Sequence, residues 1–157
     1  MVSVMPIEQA VRQTRKVMAY VTHEKRLLVF AHPDFPEAGI QVPAGTVEPG
    51  EDPDRAVMRE AFEETGLTCL ELVRFLGERN YEMSDFGRNE IQHRRFYHLT
   101  CTERPQERWQ HAETSGGKHE AIMFDFFWTV FPDDVPDLIA GHGDMLPELV
   151  SSLEIMA

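Results

Sequence analysis

Cysteine is scarce in this sequence: Cys69 and Cys101 are its only two in 157 residues. Their spacing matches no metal site and cannot support a disulfide-stapled scaffold. Each lies in an apolar, strand-like stretch, so both read as buried thiols. No apolar run is long enough to cross a bilayer. The opening residues, MVSVMPIEQAVRQTRK, lack the basic-then-apolar order of a secretory signal, and a cytoplasmic location is expected. Positive charge is also scarce, with 15 Lys and Arg against 27 Asp and Glu for a formal net charge of −12. A broad basic face for a nucleic acid polymer or an anionic membrane is therefore not expected. A small anion bridged to the protein by a cation is compatible with that balance. Repeats, low-complexity tracts and linkers are missing too, so residues 1–157 are expected to form a single domain.

What is present begins with β-favouring apolar segments at 16–22 (KVMAYVT) and 26–31 (RLLVFA), joined by a turn at His23-Glu24-Lys25. Residues 32–39 carry two prolines and a glycine and read as a loop, and 40–42 as a short strand. Asp52 is a good N-cap, Pro53 suits the first helical position and Gly66 suits a left-handed stop, which predicts a helix between them. Val57, Met58, Ala61 and Phe62 form its apolar stripe, and Glu60, Glu63 and Glu64 are expected to point away from it. Residues 69–77, 91–101 and 121–131 read as strands, 109–120 as a loop, and 133–140 and 144–156 as helices. The pattern implies an α/β fold with helices on the faces of a mixed sheet.

The carboxylates at the end of the central helix are physically awkward. Like charges three and four residues apart repel, and a helix C-terminus favours cations. A bound cation would relieve both penalties.

From Gly45 to Leu67 the chain reads GTVEPGEDPDRAVMREAFEETGL. This resembles the Nudix box, G-x5-E-x7-R-E-U-x-E-E-x-G-U with U apolar, and every specified position matches. At residue frequencies of about 5–7% each, a chance match is on the order of 10⁻⁹ per start position. The likeness extends upstream over Ile40-Gln41-Val42-Pro43-Ala44, with Ala44 where the family usually has a second glycine.

The resemblance implies a Nudix-type α/β/α sandwich with a mixed β-sheet. It also implies a Mg²⁺-dependent pyrophosphohydrolase, with Mn²⁺ as a substitute, that cleaves a nucleoside diphosphate linked to a second group, X. Glu60, Glu63, Glu64 and the Ala44 carbonyl take the place of the metal ligands, and Glu51 and Arg59 that of a brace between loop and helix. Gly45 and Gly66 permit the turns. A further glutamate, as ligand or base, is expected from the segment before a late strand, where Glu113 and Glu120 stand. Glu60 and Glu63 are the catalytic candidates within the box. Arg94 and Arg95 are candidate substrate contacts; being adjacent on a strand, only one faces a given cleft. Tyr81, Phe86, Phe96 and Trp109 are candidate base-stacking or core residues, and the histidines are expected at the surface. The neighbourhood of Tyr81-Glu82-Met83 lacks the proline typical of ADP-ribose hydrolases of this family. The alternatives are an RNA 5′-pyrophosphohydrolase and a silent nucleotide-sensing module. Oligomeric state is left open, a homodimer included.

Overall fold

A computed structural model describes residues 10–113 and 122–156. Among these residues seven strands form one mixed sheet: β1 (Arg12–His23), β2 (Arg26–Ala31), β3 (Ala44–Thr46), β4 (Leu70–Glu82), β5 (Glu90–Cys101), β6 (Arg108–Glu113) and β7 (Ile122–Val130). Their order is β4-β5-β1-β2-β7-β6, with β3 pairing on β1. β1 and β5 run parallel, and the other pairs are antiparallel. Two α-helices, α1 (Pro53–Thr65) and α2 (Leu146–Met156), complete the α/β fold.

β1 explains why the sheet is covered on both sides. Side chains alternate across a strand, and here the odd positions Val17, Ala19 and Val21 join Val57 and Ala61 of α1 in one core. The even positions Met18 and Tyr20 join Met145 and Leu149, at and before α2, in a second core. A strand buried on both faces reads as a near-continuous apolar run, which is what KVMAYVT shows. Each fully buried aliphatic side chain contributes about 1.5–3 kcal/mol.

Several expectations shift. The stretch expected to be loop at 109–120 contains β6, paired to β7 from Arg108↔Phe127 to Glu113↔Ile122. Its polar composition concealed the strand because this is a sheet edge with little apolar alternation. The helix expected at 133–140 is replaced by turns and a 3-10 turn at Ile139–Gly141. Pro136 removes a backbone donor that a helix there would need and disfavours helical geometry at the residue before it. Residues 40–42 make only isolated bridges, Phe30↔Gln41 and Ile40↔Leu138. β4 runs on to Glu82, five residues past the expected end, through two register shifts.

The histidines are not all at the surface. His98 is 2% exposed, with Nε2 at 2.7 Å from Thr22 Oγ1. Burial, and then Arg74, push its pKa down to about 4. An unfolded histidine titrates near 6.5, so between about pH 6.5 and 4 the unfolded chain binds the extra proton. Stability from neutral His98 is therefore complete above about pH 6.5 and lost as pH falls through 4. Urea unfolding of His98→Gln is expected to give a shallower decline of stability across that window than wild type, by about one proton's worth of slope. Parallel curves would contradict the assignment.

Candidate active site

Helix α1 starts and stops as its ends dictate. Asp52 Oδ1 accepts from the Asp54 N–H at 2.9 Å, and Gly66 adopts the left-handed conformation with its N–H donating to Phe62 O at 2.8 Å. Arg59 ties the preceding loop to the helix. Its Nε and Nη2 donate to the two oxygens of Glu51, each at 2.8 Å, and Nη2 also reaches the Thr46 carbonyl at 3.0 Å. Nη1 donates to Glu60 at 2.7 Å and to Glu63 at 3.3 Å. The hydrogen bonds from Arg59, with help from the Glu48 N–H, hold the Glu51 carboxyl down to about 2. The expected brace is present as a bidentate pair, the strong geometry for guanidinium and carboxylate.

The loop also lets the carboxylates in. A Cβ on Gly45 would lie 2.0 Å from Glu60 Cδ, so only glycine leaves room for the Glu60 side chain against β3. Glu64 is 5% exposed, and its Oε2 lies 3.4 Å from the Ala44 N–H. This corrects the helical stripe: Phe62 is 51% exposed, while Glu64 turns inward with Val57 and Ala61. The inward face meets apolar core along most of the helix, but at its last turn it meets a cleft. A carboxylate therefore occupies a position that periodicity alone would fill with an apolar residue.

β6 brings the third carboxylate. Trp109, His111 and Glu113 share one face of the strand by its two-residue period. Trp109 Nε1–H donates to the Thr65 carbonyl at 2.9 Å, and His111 Nε2–H donates to the Glu63 carbonyl at 3.0 Å. These are carbonyls of the last helical turn, which the helix itself leaves unpaired. The same docking carries Glu113 to α1, and one oxygen each from Glu60, Glu64 and Glu113 lie within 4.8 Å of one another. Glu63 stands outside this group, its side chain 38% exposed beside Arg59. Glu120 lies outside the described residues.

Burial raises the Glu60 carboxyl against the pull of Arg59, and it raises that of Glu64 well above the usual range, reinforced by the charge of Glu113. A cluster of three buried or half-buried acids with too little positive charge fits a hard cation: the donors are all oxygen and converge from two elements.

The group opens into a cleft of about 600 Å³. Lys16 lines it, donating to Thr46 Oγ1 at 2.9 Å. Burial lowers its pKa, while its charge is felt by Glu90 on one side and by Glu60 and Glu64 on the other. Farther along, β1 and β5 present Thr14, Glu90, Gln92 and Arg94 on one face, joined in a chain. Thr14 Oγ1–H donates to Glu90 at 2.5 Å, and Arg94 Nε–H donates to Gln92 Oε1 at 3.0 Å. Arg94 lines the cleft. Arg95 points to the opposite face, paired with Glu78 and 4.1 Å above the Phe75 ring. Phe96 is core, Trp109 stacks on Phe126 at 5.2 Å, and Phe86 is 43% exposed at the cleft wall. Lys16, Glu90, Gln92 and His142 were not anticipated. The available signal was a lysine at an inward-alternating position of an otherwise apolar strand.

The NUDIX domain matches residues 12–149, and the chain belongs to that family. Fold and family together define a Nudix hydrolase, a class that acts on pyrophosphate bonds and generally uses a divalent metal. Among similar solved structures is the MutT protein from Methanosarcina mazei Go1, 18% identical, covering 94% of this chain and 99% of that one, with a TM-score of 0.65. A UDP-X diphosphatase is 15% identical, covering 97% of this chain and 68% of that one, with a TM-score of 0.62. A MutT NUDIX hydrolase from Burkholderia pseudomallei is 24% identical, covering 88% and 98%, with a TM-score of 0.58. No curated protein matches the chain.

Gly45→Ala is expected to force Glu60 out of place. The cost of such overpacking is about 1–3 kcal/mol, a fall in melting temperature of about 3–10 °C for a chain of this size. In a Glu60→Ala background the same glycine substitution is expected to cost much less. Thermal unfolding of the four proteins checks this; an equal cost in both backgrounds would contradict the contact.

Proposed function

We propose that the protein is a single-domain, Mg²⁺-dependent pyrophosphohydrolase. Its substrate is a small nucleoside diphosphate linked to a second group, cleaved to a nucleoside monophosphate and the phosphorylated remainder. The observation that carries this reading is the convergence of Glu60, Glu64 and Glu113 in a cleft that Lys16 also lines.

Glu60, Glu64 and Glu113 would hold the ion. A bound Mg²⁺ supplies charge neutralisation at the diphosphate and lowers the pKa of water. The protein's own contributions follow from its geometry. Arg59 fixes Glu60 while keeping Glu51 against the loop. Lys16 offers an ammonium between the carboxylates and Arg94, suited to a phosphate oxygen. Ala44 lies against Glu64, where its backbone can complete the site. Glu63, outside the cluster and more water-accessible than Glu60 or Glu64, is assigned the role of base. The −12 balance and the few cationic groups lining the cleft favour a small ligand over an RNA 5′ end.

Two substitutions separate binding from chemistry. Glu64→Gln is expected to weaken Mg²⁺ binding, measured by calorimetry, and to abolish turnover. Glu63→Gln is expected to leave Mg²⁺ affinity within about threefold and to lower kcat by about 10²–10⁴-fold, the usual range for a lost base. Offered a mixture of nucleotide derivatives and 5′-triphosphorylated RNA, the enzyme is expected to release nucleoside monophosphate. Preferential attack on the RNA, or full activity in excess chelator, would overturn the reading.

A further inference from the structure

The end of the cleft away from the carboxylates has a one-sided hydrogen-bonding character. Arg94 is 2% exposed, and no carboxylate among the described residues forms an ion pair with it. Nε is taken by Gln92 Oε1 and Nη1 by the Ala140 carbonyl, but Nη2 meets only the Met83 thioether, at 3.8 Å. Tyr81 covers the guanidinium, 4.3 Å from its ring centre. A buried guanidinium with so weak a contact on one nitrogen is costly unless a ligand supplies an acceptor.

The neighbours cannot supply it. Gln92 is spent in both directions, because its oxygen faces Arg94 and its amide serves Glu90. Glu90 is spent as well. Although burial opposes it, hydrogen bonds from Thr14 and Gln92 and the charge of Arg88 hold its carboxyl below the usual range. His142 is 8% exposed, and its Nδ1 accepts from the Val42 N–H at 3.1 Å. That contact leaves Nε2 to carry the ring proton, so the imidazole adds a donor rather than an acceptor. Burial, and then Arg94 and Lys16, push its pKa down to about 3, so it stays neutral. The wall thus offers donors from Arg94, His142 and Lys16, flanked by the apolar surfaces of Met83 and Phe86.

A flat ligand with apolar faces and an acceptor-only edge fits such a wall. We propose that this end of the cleft holds the nucleobase of the substrate and selects a 6-oxopurine, whose O6/N7 edge supplies the acceptor that Nη2 of Arg94 lacks. That edge carries acceptors only, whereas adenine presents an amino donor beside N7 and would set a donor against the Nη2 N–H groups. The assignment rests on the nucleotide reading above and narrows it to guanine- or hypoxanthine-bearing substrates.

The test is calorimetric titration of the wild-type protein, with Mg²⁺, against GMP, IMP, AMP, UMP and 7-deaza-GMP, none of which carries an anhydride bond. GMP and IMP are expected to bind at least about 10-fold more tightly than AMP, the discrimination expected when a buried donor is left facing a donor. 7-Deaza-GMP, which lacks the N7 acceptor, is expected to fall towards AMP. Arg94→Lys is expected to erase the GMP preference; should that variant fail to fold, the 7-deaza comparison on wild type carries the test alone. Equal affinity for GMP and AMP, or UMP binding as tightly as GMP, would overturn the base assignment and leave the hydrolysis standing. Selective GMP binding by a protein that hydrolyses none of the diphosphate substrates would do the reverse.

Discussion

Mutual repulsion of carboxylates is the constraint on which the site depends. Glu60, Glu64 and Glu113 are brought within 4.8 Å of one another, with Glu64 almost fully buried. At such distances and reduced dielectric, like charges cannot all ionise freely without a counter-charge. Arg59 offsets part of the charge on Glu60 but is itself shared with Glu51, Glu63 and the Thr46 carbonyl. Among the described residues no cation forms an ion pair with Glu64, and the Ala44 amide donates to it only over a long 3.4 Å contact. The fold spends packing and hydrogen bonds elsewhere to hold this arrangement in place.

Three scaffolding devices do so. The glycine at 45 lets β3 press against Glu60. The Glu51–Arg59 pair fixes the loop to the first turns of α1. Trp109 and His111 dock the sheet edge onto the helix C-terminus, using carbonyls that needed donors in any case. The last device unites two problems: the helix end gains partners, and the strand delivers Glu113. β1 and β5, parallel and in register from Arg12↔Glu90 to Thr22↔Thr100, then extend the cleft away from the acids along a chain of polar side chains set into the sheet.

What could be read from residue order was what is local. The helix boundaries followed from Asp52, Pro53 and Gly66, and the brace between Glu51 and Arg59 from the family resemblance of the box. The opposite facing of Arg94 and Arg95 followed from strand alternation. The rest depends on contacts between distant segments. The inward turn of Glu64 is set by a cleft that exists only once β6 and β3 are in place. The Thr14–Glu90 bond spans 76 positions, so nothing near either residue announces it. Lys16, Gln92 and His142 acquire meaning only when β1, β5 and the turn after residue 138 meet. Polar β6 had no apolar period to betray it, and Pro136 undercut a helix that local composition favoured.

The central claim is that the three carboxylates are held together to take a cation. Crystals grown with Mn²⁺ and measured near the manganese absorption edge test it most directly. The account predicts an anomalous peak within coordination distance of oxygens from Glu60, Glu64 and Glu113, about 2.0–2.3 Å. A peak elsewhere on the protein, with these three side chains turned apart, would contradict it.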